Sequence, residues 1–172
     1  DAYNTAVGYD AGNAVTTGVE NTLIGGLAGD ALTDANYNVA VGKSSLSSDT
    51  RGSGSTAIGH SALAVQNLTT ATNAYNTAVG FSAGNVVTTG VQNTFIGALA
   101  GDALTVGGNN VALGYLALSA DTQGSSSVAV GMSALTAQNS TSETNMYNVA
   151  VGRNAGAAVT TGIENTLIGG EA

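Results

Sequence analysis

Cysteine, proline and tryptophan are absent from this chain of 172 residues, histidine occurs once, and three basic residues face eleven acidic ones. Without cysteine there is neither a disulfide scaffold nor a thiolate metal site. So few basic residues, under a net charge of −8, exclude a nucleic-acid surface, because neutralising phosphates takes clustered Lys and Arg. The same acidity keeps the chain off anionic membranes. Apolar runs are short as well: none approaches the roughly 18 residues of a membrane span. The stretch from Asp1 has no basic and then apolar leader pattern, so no signal, anchor or direct membrane insertion is expected in this segment.

What is present is small and apolar. Charged residues are 8 % of the chain and hydrophobic ones 43 %, with 25 glycines. That is too apolar for disorder, yet it lacks the large core residues and the Lys/Glu surface of an ordinary domain. The composition points to repetition.

An aliphatic residue followed by glycine recurs throughout, at Gly8, Gly25, Gly42, Gly59, Gly80, Gly97, Gly114, Gly131, Gly152 and Gly169. The intervals run 17, 17, 17, 21, then 17, 17, 17, 21, then 17. Ten short units therefore group by fours into superrepeats at 1–72 and 73–144, with a partial copy at 145–172, all within a single repeat domain. The first two copies align without a gap and are identical at nearly two positions in three. Units this short exclude helical-pair repeats, which need about 34 to 47 residues, and their glycines would make poor helices.

Each column of the repeat reads as a physical requirement. Four before the glycine stands Asn, replaced by Ser55 and Ser127, and stacked amides can bond along a pile of strands. Then come Thr or Val, mostly Ala, and a branched aliphatic such as Val7, Ile24 or Val41. Three such residues closed by Gly read as a short strand and a tight turn. Small residues follow at Ala11 and its equivalents, then Gly or Leu, then a polar turn such as Thr16-Thr17-Gly18. The expected fold is all-β: a parallel β-solenoid, or β-roll, of about ten turns of 17 to 21 residues. At about 4.8 Å per turn the rod would be roughly 45 to 50 Å long. With both Asp1 and Ala172 inside the pattern, the chain is expected to be a segment of a longer fibre.

Alternate strand residues face opposite ways. Placing the Val/Ile column inside the coil puts Leu23, Phe95 and Leu167 outside in one line, and such a stripe is expected to be an oligomer interface. The position after the repeat glycine holds Tyr9, Lys43, His60, Phe81, Tyr115, Met132 and Arg153. That variety requires an outward column, and mixed aromatic and cationic side chains make it the candidate surface-recognition stripe.

The columns resemble the head repeats of YadA-like trimeric autotransporter adhesins, on Asn4-Thr5-Ala6-Val7-Gly8, Asn38-Val39-Ala40-Val41-Gly42 and Ser55-Thr56-Ala57-Ile58-Gly59. They are also similar to shaft repeats of phage tail fibres, on Asn76–Gly90. The resemblance covers all ten turns and implies a left-handed β-roll, a homotrimer and attachment at a cell surface or virion. The unit is longer than the adhesin type, so extra residues must leave the coil as loops.

Little suggests chemistry. His60 is matched by Met132 one superrepeat on, which argues against a repeated base or ligand, so no catalytic residue is assigned. Asp30 and Asp102, like Asp49 and Asp121, are equivalents four turns apart, about 19 Å, too far to share an ion; no metal or cofactor is expected. Asn67-Leu68-Thr69 and Asn139-Ser140-Thr141 match the N-glycosylation sequon and fall in the longer turns. The expectation is a non-catalytic extracellular or virion fibre or adhesin segment, a rigid rod displaying loops to a protein or glycan receptor. Alternatives are a self-polymerising extracellular filament subunit and, more remotely, an ice-binding solenoid using Thr5, Thr22, Thr56, Thr77, Thr94 and Thr166. A β-helix enzyme such as a polysaccharide lyase would need clustered acidic and basic residues, which the chain lacks.

Overall fold

The computed structural model describes residues 2–172, and within them every regular element is a strand. Ten strands of three residues mark the ten turns: β1 (Thr5–Val7), β2 (Thr22–Ile24), β3 (Val39–Val41), β5 (Thr56–Ile58), β7 (Thr77–Val79), β8 (Thr94–Ile96), β9 (Val111–Leu113), β11 (Val128–Val130), β13 (Val149–Val151) and β14 (Thr166–Ile168). They stack in that order as one parallel sheet. Register never slips: Ala6 pairs with Leu23, and across a longer turn Ala57 pairs with Ala78. The chain is thus an all-β parallel solenoid, a β-roll of about ten turns. Where the turn lengthens, β4 (Gly52–Ser53) pairs with β6 (Thr72–Asn73) and β10 (Gly124–Ser125) with β12 (Thr144–Asn145), leaving Thr69–Ala71 and Thr141–Glu143 exposed.

The strands face the opposite way from the sequence expectation. Leu23 and Phe95 are 0 % exposed and belong to the core with the Ala column, while Ile24, Ile58 and Ile96 are exposed. Leu23 and Phe95 are therefore no outward interface, and Leu167 packs partly buried against the same core. The Asn column decides the matter. Its carboxamides turn inward, and strand alternation then sends Thr/Val out, Ala in and Val/Ile out.

Those carboxamides serve the backbone more than one another. Asn21 Oδ1 accepts from the Asn38 amide at 3.0 Å, and Asn21 Nδ2 donates to the Ala35 carbonyl at 2.8 Å. The same pair recurs at Asn93, with the Asn110 amide and the Gly107 carbonyl. Each Asn of the column from Asn4 to Asn148 thus ties its turn to the next and closes its own coil. Buried backbone groups that the short strands leave unpaired are satisfied this way.

The lumen is narrow, and bulk on one wall is matched by its absence on the other. A Cβ on Gly12 or Gly29 would lie 2.7 Å from a Leu23 methyl, and one on Gly84 would lie 2.7 Å from the Phe95 ring, with Gly101 closer still to that ring. Where the strand carries Ala40, Ala57, Ala112 or Ala129, the facing position is Leu46, Leu63, Leu118 or Leu135, all 0 % exposed. Close packing allows no larger total volume.

In each full superrepeat, two adjacent turns replace this apolar filling with a polar layer. Asp49 and Gln66 occupy the column that elsewhere holds Leu32, Val87 and Leu104, and all five are buried. Asp49 Oδ1 accepts from the amides of Gly52 and Leu68 at 3.0 Å each and of Arg51 at 3.3 Å. Its Oδ2 accepts from Gln66 Nε2, and Gln66 Oε1 accepts from Asn76 Nδ2 at 2.8 Å. Gln66 thereby fills the place that the short Ser55 leaves in the Asn column. Asp121, Gln138, Ser127 and Asn148 repeat the layer. These carboxylates anchor the longer turns.

The ten repeat glycines hold φ between +130° and +144°, outside the range that residues with a Cβ favour. A Cβ on Gly97 would also lie 2.7 Å from the Gly114 carbonyl carbon and oxygen. Gly97→Ala is expected to cost at least about 3 kcal/mol, combining backbone strain with a clash no rotamer relieves; denaturant unfolding followed by circular dichroism measures it.

Candidate interaction face

With Ala turned in, the outer surface of the ten-stranded sheet carries two unbroken columns, Thr/Val and Val/Ile/Leu. None of these twenty positions is charged. The glycine closes the second column, and the seven residues singled out beside it follow: Tyr9, Lys43, His60, Phe81, Tyr115, Met132 and Arg153 are all exposed. His60 and Phe81, on successive turns, stack with centroids 5.4 Å apart and planes 14° from parallel. On the other flank, just before the inward Asn, stand Tyr3, Tyr37, Tyr75 and Tyr147, each more than half exposed and each at a positive φ near +50° to +61°. A left-handed residue there turns the chain from the surface into the strand.

The face thus has an apolar floor, an aromatic and acidic flank at one side and an aromatic and basic flank at the other. Sequence reasoning found the second flank and missed the first, although Tyr recurs one before Asn4, Asn38, Asn76 and Asn148. It also set the Thr column beside an interior Val/Ile line. The two columns in fact share the outward face.

The acidic pairs stand apart from this face. Asp30 and Asp102 each keep one buried oxygen without a hydrogen-bond partner, and loss of hydration at the carboxyl raises the pKa of both above the ordinary carboxylate range. Among the described residues no group of His, Asp and Glu side chains is placed to hold a metal ion, and no cavity opens in the rod. Arg51 pairs with Asp34 at 3.4 Å and Arg153 with Glu171 at 3.0 Å; both pairs are exposed and contribute little stability. Asn67 is exposed and Asn139 half-buried. Their side-chain oxygens accept from Thr50 and Thr122, so both sequon residues are held against the rod.

In comparisons with known proteins no family model matches the chain, and no curated protein or solved structure matches it.

Proposed function

We propose that this chain is a segment of a non-catalytic extracellular or virion fibre, in which copies of the same rod associate through the outward Val/Ile face, three to a bundle, and present their longer turns to a cell-surface protein or glycan. The observation that carries this reading is the uncharged floor itself. A continuous apolar stripe along the whole height of a rod is an interface, because its exposure to water is unfavourable and its charge depletion is that of an interface core. A face no wider than about 20 Å and nine rises of about 4.8 Å tall has the size of one side of a standard interface, about 800 Å² per partner. The interface residues are Ile24, Ile58, Val79 and Ile96 and their column, in place of Leu23, Phe95 and Leu167. The resemblance to adhesin heads and fibre shafts supports a trimer and an attachment role.

Light scattering on the size-exclusion eluate tests the association. The chain is expected to run as an oligomer of fixed size, and Val79→Asp with Ile96→Asp is expected to shift it to monomer with its circular dichroism retained. Indefinite filaments in negative stain would favour the self-polymerising subunit. A monomer showing thermal hysteresis would assign the Thr/Val face to ordering ice.

A further inference from the structure

The eighth residue after each repeat glycine forms a second polar ladder, in the turn before the coil lengthens. In the first superrepeat it is Thr16, Thr33, Thr50 and then Asn67; in the second, three threonines are followed by Asn139. Thr33 shows what this position does on a short coil. Its amide and its hydroxyl both donate to the Thr50 carbonyl of the next coil, at 2.9 and 3.0 Å. Thr105 does the same toward Thr122, at 2.8 and 2.7 Å. Asn67 keeps only the first of these bonds. Its amide donates to the Thr88 carbonyl at 2.9 Å, and that of Asn139 to the Thr160 carbonyl at 3.0 Å. The carboxamide turns back to the preceding coil, where Asn67 Oδ1 accepts from Thr50 Oγ1 at 3.3 Å and Asn139 Oδ1 from Thr122 Oγ1 at 3.0 Å. Each of those hydroxyls already donates to a carbonyl, of Leu68 at 3.2 Å or Ser140 at 2.9 Å. Among the described residues neither Nδ2 has a hydrogen-bond partner, and neither is sealed from water, since Asn67 is exposed and Asn139 half-buried. A threonine would complete the ladder. The asparagine interrupts it and leaves a free amide nitrogen at the root of each longer turn.

Two features single out these nitrogens. Of the 17 asparagines in the chain, only Asn67 and Asn139 are followed two places on by Ser or Thr, and those partners, Thr69 and Thr141, are exposed. Between the two copies residues 68, 70 and 71 change, to Ser140, Ser142 and Glu143, while the asparagine and the threonine two places on are kept. The spacing survives where the rest of the longer turn diverges.

We infer that Asn67 and Asn139 are sites of N-linked glycosylation, taking a saccharide from a sugar diphosphate donor by way of a transferase. Nδ2 forms a bond to the anomeric carbon of the donor, and the bond from that carbon to the phosphate oxygen breaks. The diphosphate leaves with the electron pair, and a proton passes from Nδ2 to a base of the transferase. Holding Oδ1 against the preceding coil leaves Nδ2 as the reacting end of the carboxamide. The fold loses nothing by the reaction, because no bond within the chain uses that nitrogen. The two sites stand four coils apart, about 19 Å, so hydrophilic bulk marks each longer turn. Neither site lies in the Val/Ile floor, and the modification does not depend on association of copies.

Secretion of the chain from a eukaryotic host that attaches N-linked oligosaccharides tests the assignment, with peptide mapping by mass spectrometry before and after peptide-N-glycosidase. Both asparagines are expected to carry sugar, which the enzyme removes with conversion of each to aspartate. The glycosylated rod is expected to keep the circular dichroism of the chain made without sugar. Thr69→Ala is expected to abolish the modification at Asn67 alone, and Thr69→Ser to retain it. Asn67→Thr, which completes the ladder, is expected to remove that sugar with no fall in melting temperature relative to the sugar-free chain. No sugar at either asparagine, in a host that modifies a control glycoprotein, overturns the assignment. Sugar found only on chains that have lost the circular dichroism of the coil overturns it too. A lower melting temperature for Asn67→Thr would show that the asparagine stands there for the coil and not for its free nitrogen. A rod that proves monomeric leaves all of these readouts unchanged, so failure of the proposed association is told apart from failure of the modification.

Discussion

Deleting Thr77–Asn93, one short turn, is expected to damage the fold more than deleting Ala78–Val149, a whole superrepeat. Both deletions rejoin the chain at matching points of the repeat, so strand register alone does not separate them. The lumen does. The short deletion removes Gly84 and brings Phe95 directly above Leu63, whose methyl already lies 3.0 Å from the Cβ position of Gly84, while the Phe95 ring lies 2.7 Å from it. Overpacking of that size costs about 3 kcal/mol or more, roughly 10 °C of melting temperature for a chain of this length. The long deletion places Ala150 and Gly156 where Ala78 and Gly84 were, so every wall meets its proper opposite. It removes turns, and with them their additive share of stability, without creating a clash. Thermal denaturation by circular dichroism and limited proteolysis compare the two. A short-deletion protein that melts at or above the long-deletion protein would contradict the matched-wall account.

Asp49→Ala is expected to be the most damaging single substitution of a polar residue, at about 3–5 kcal/mol, since it leaves buried donors with no acceptor. The amides of Gly52 and Leu68 lose their acceptor at once, and the Gln66 NH₂ keeps only Ser55 Oγ. Asp49→Asn keeps one acceptor oxygen for the amides but turns an NH₂ toward Gln66, so its cost should be near about 1–3 kcal/mol. Asp121→Ala should behave alike, because Asp121 accepts from the amides of Gly124 and Ser140 and from the Gln138 carboxamide in the same way. Hydrogen exchange locates the effect: amides of residues 51–54 and 66–74 should lose protection before those of β1 and β2. Uniform loss along the rod would mean that the carboxylate supports the whole coil and not the longer turn.

The repeat arithmetic made the architecture legible, since intervals of 17 and 21 and a glycine at each turn leave few folds open. The facing of the strands was not legible from bulk, because a large aliphatic such as Ile24 looks like core. The Asn column held the answer. An amide repeated at one point of every coil has backbone groups to satisfy, and once it points in, Ala6 and Ala40 must follow it. Leu23 and Phe95 were misread for a related reason: their compensation lies six positions on, at Gly29 and Gly101, and in the preceding turn, at Gly12 and Gly84. Asp49 and Asp121 looked like isolated carboxylates because their partners, Gln66 and Gln138, stand one coil away and carry no charge. The column after the repeat glycine was read as outward, and its residues are exposed, whereas its Tyr counterpart across the sheet belongs to the preceding polar turn and escaped notice.

The polar layer recurring every four coils has a consequence for how such a rod changes in evolution. Unequal recombination between near-identical coils readily adds or drops a single one, but most such products set a full wall against a full wall or strand a carboxylate among leucines. Exchanges of the whole four-coil period avoid both faults, so the rod is graduated like a ruler in steps of about 19 Å, and its descendants should differ in length mostly by whole divisions.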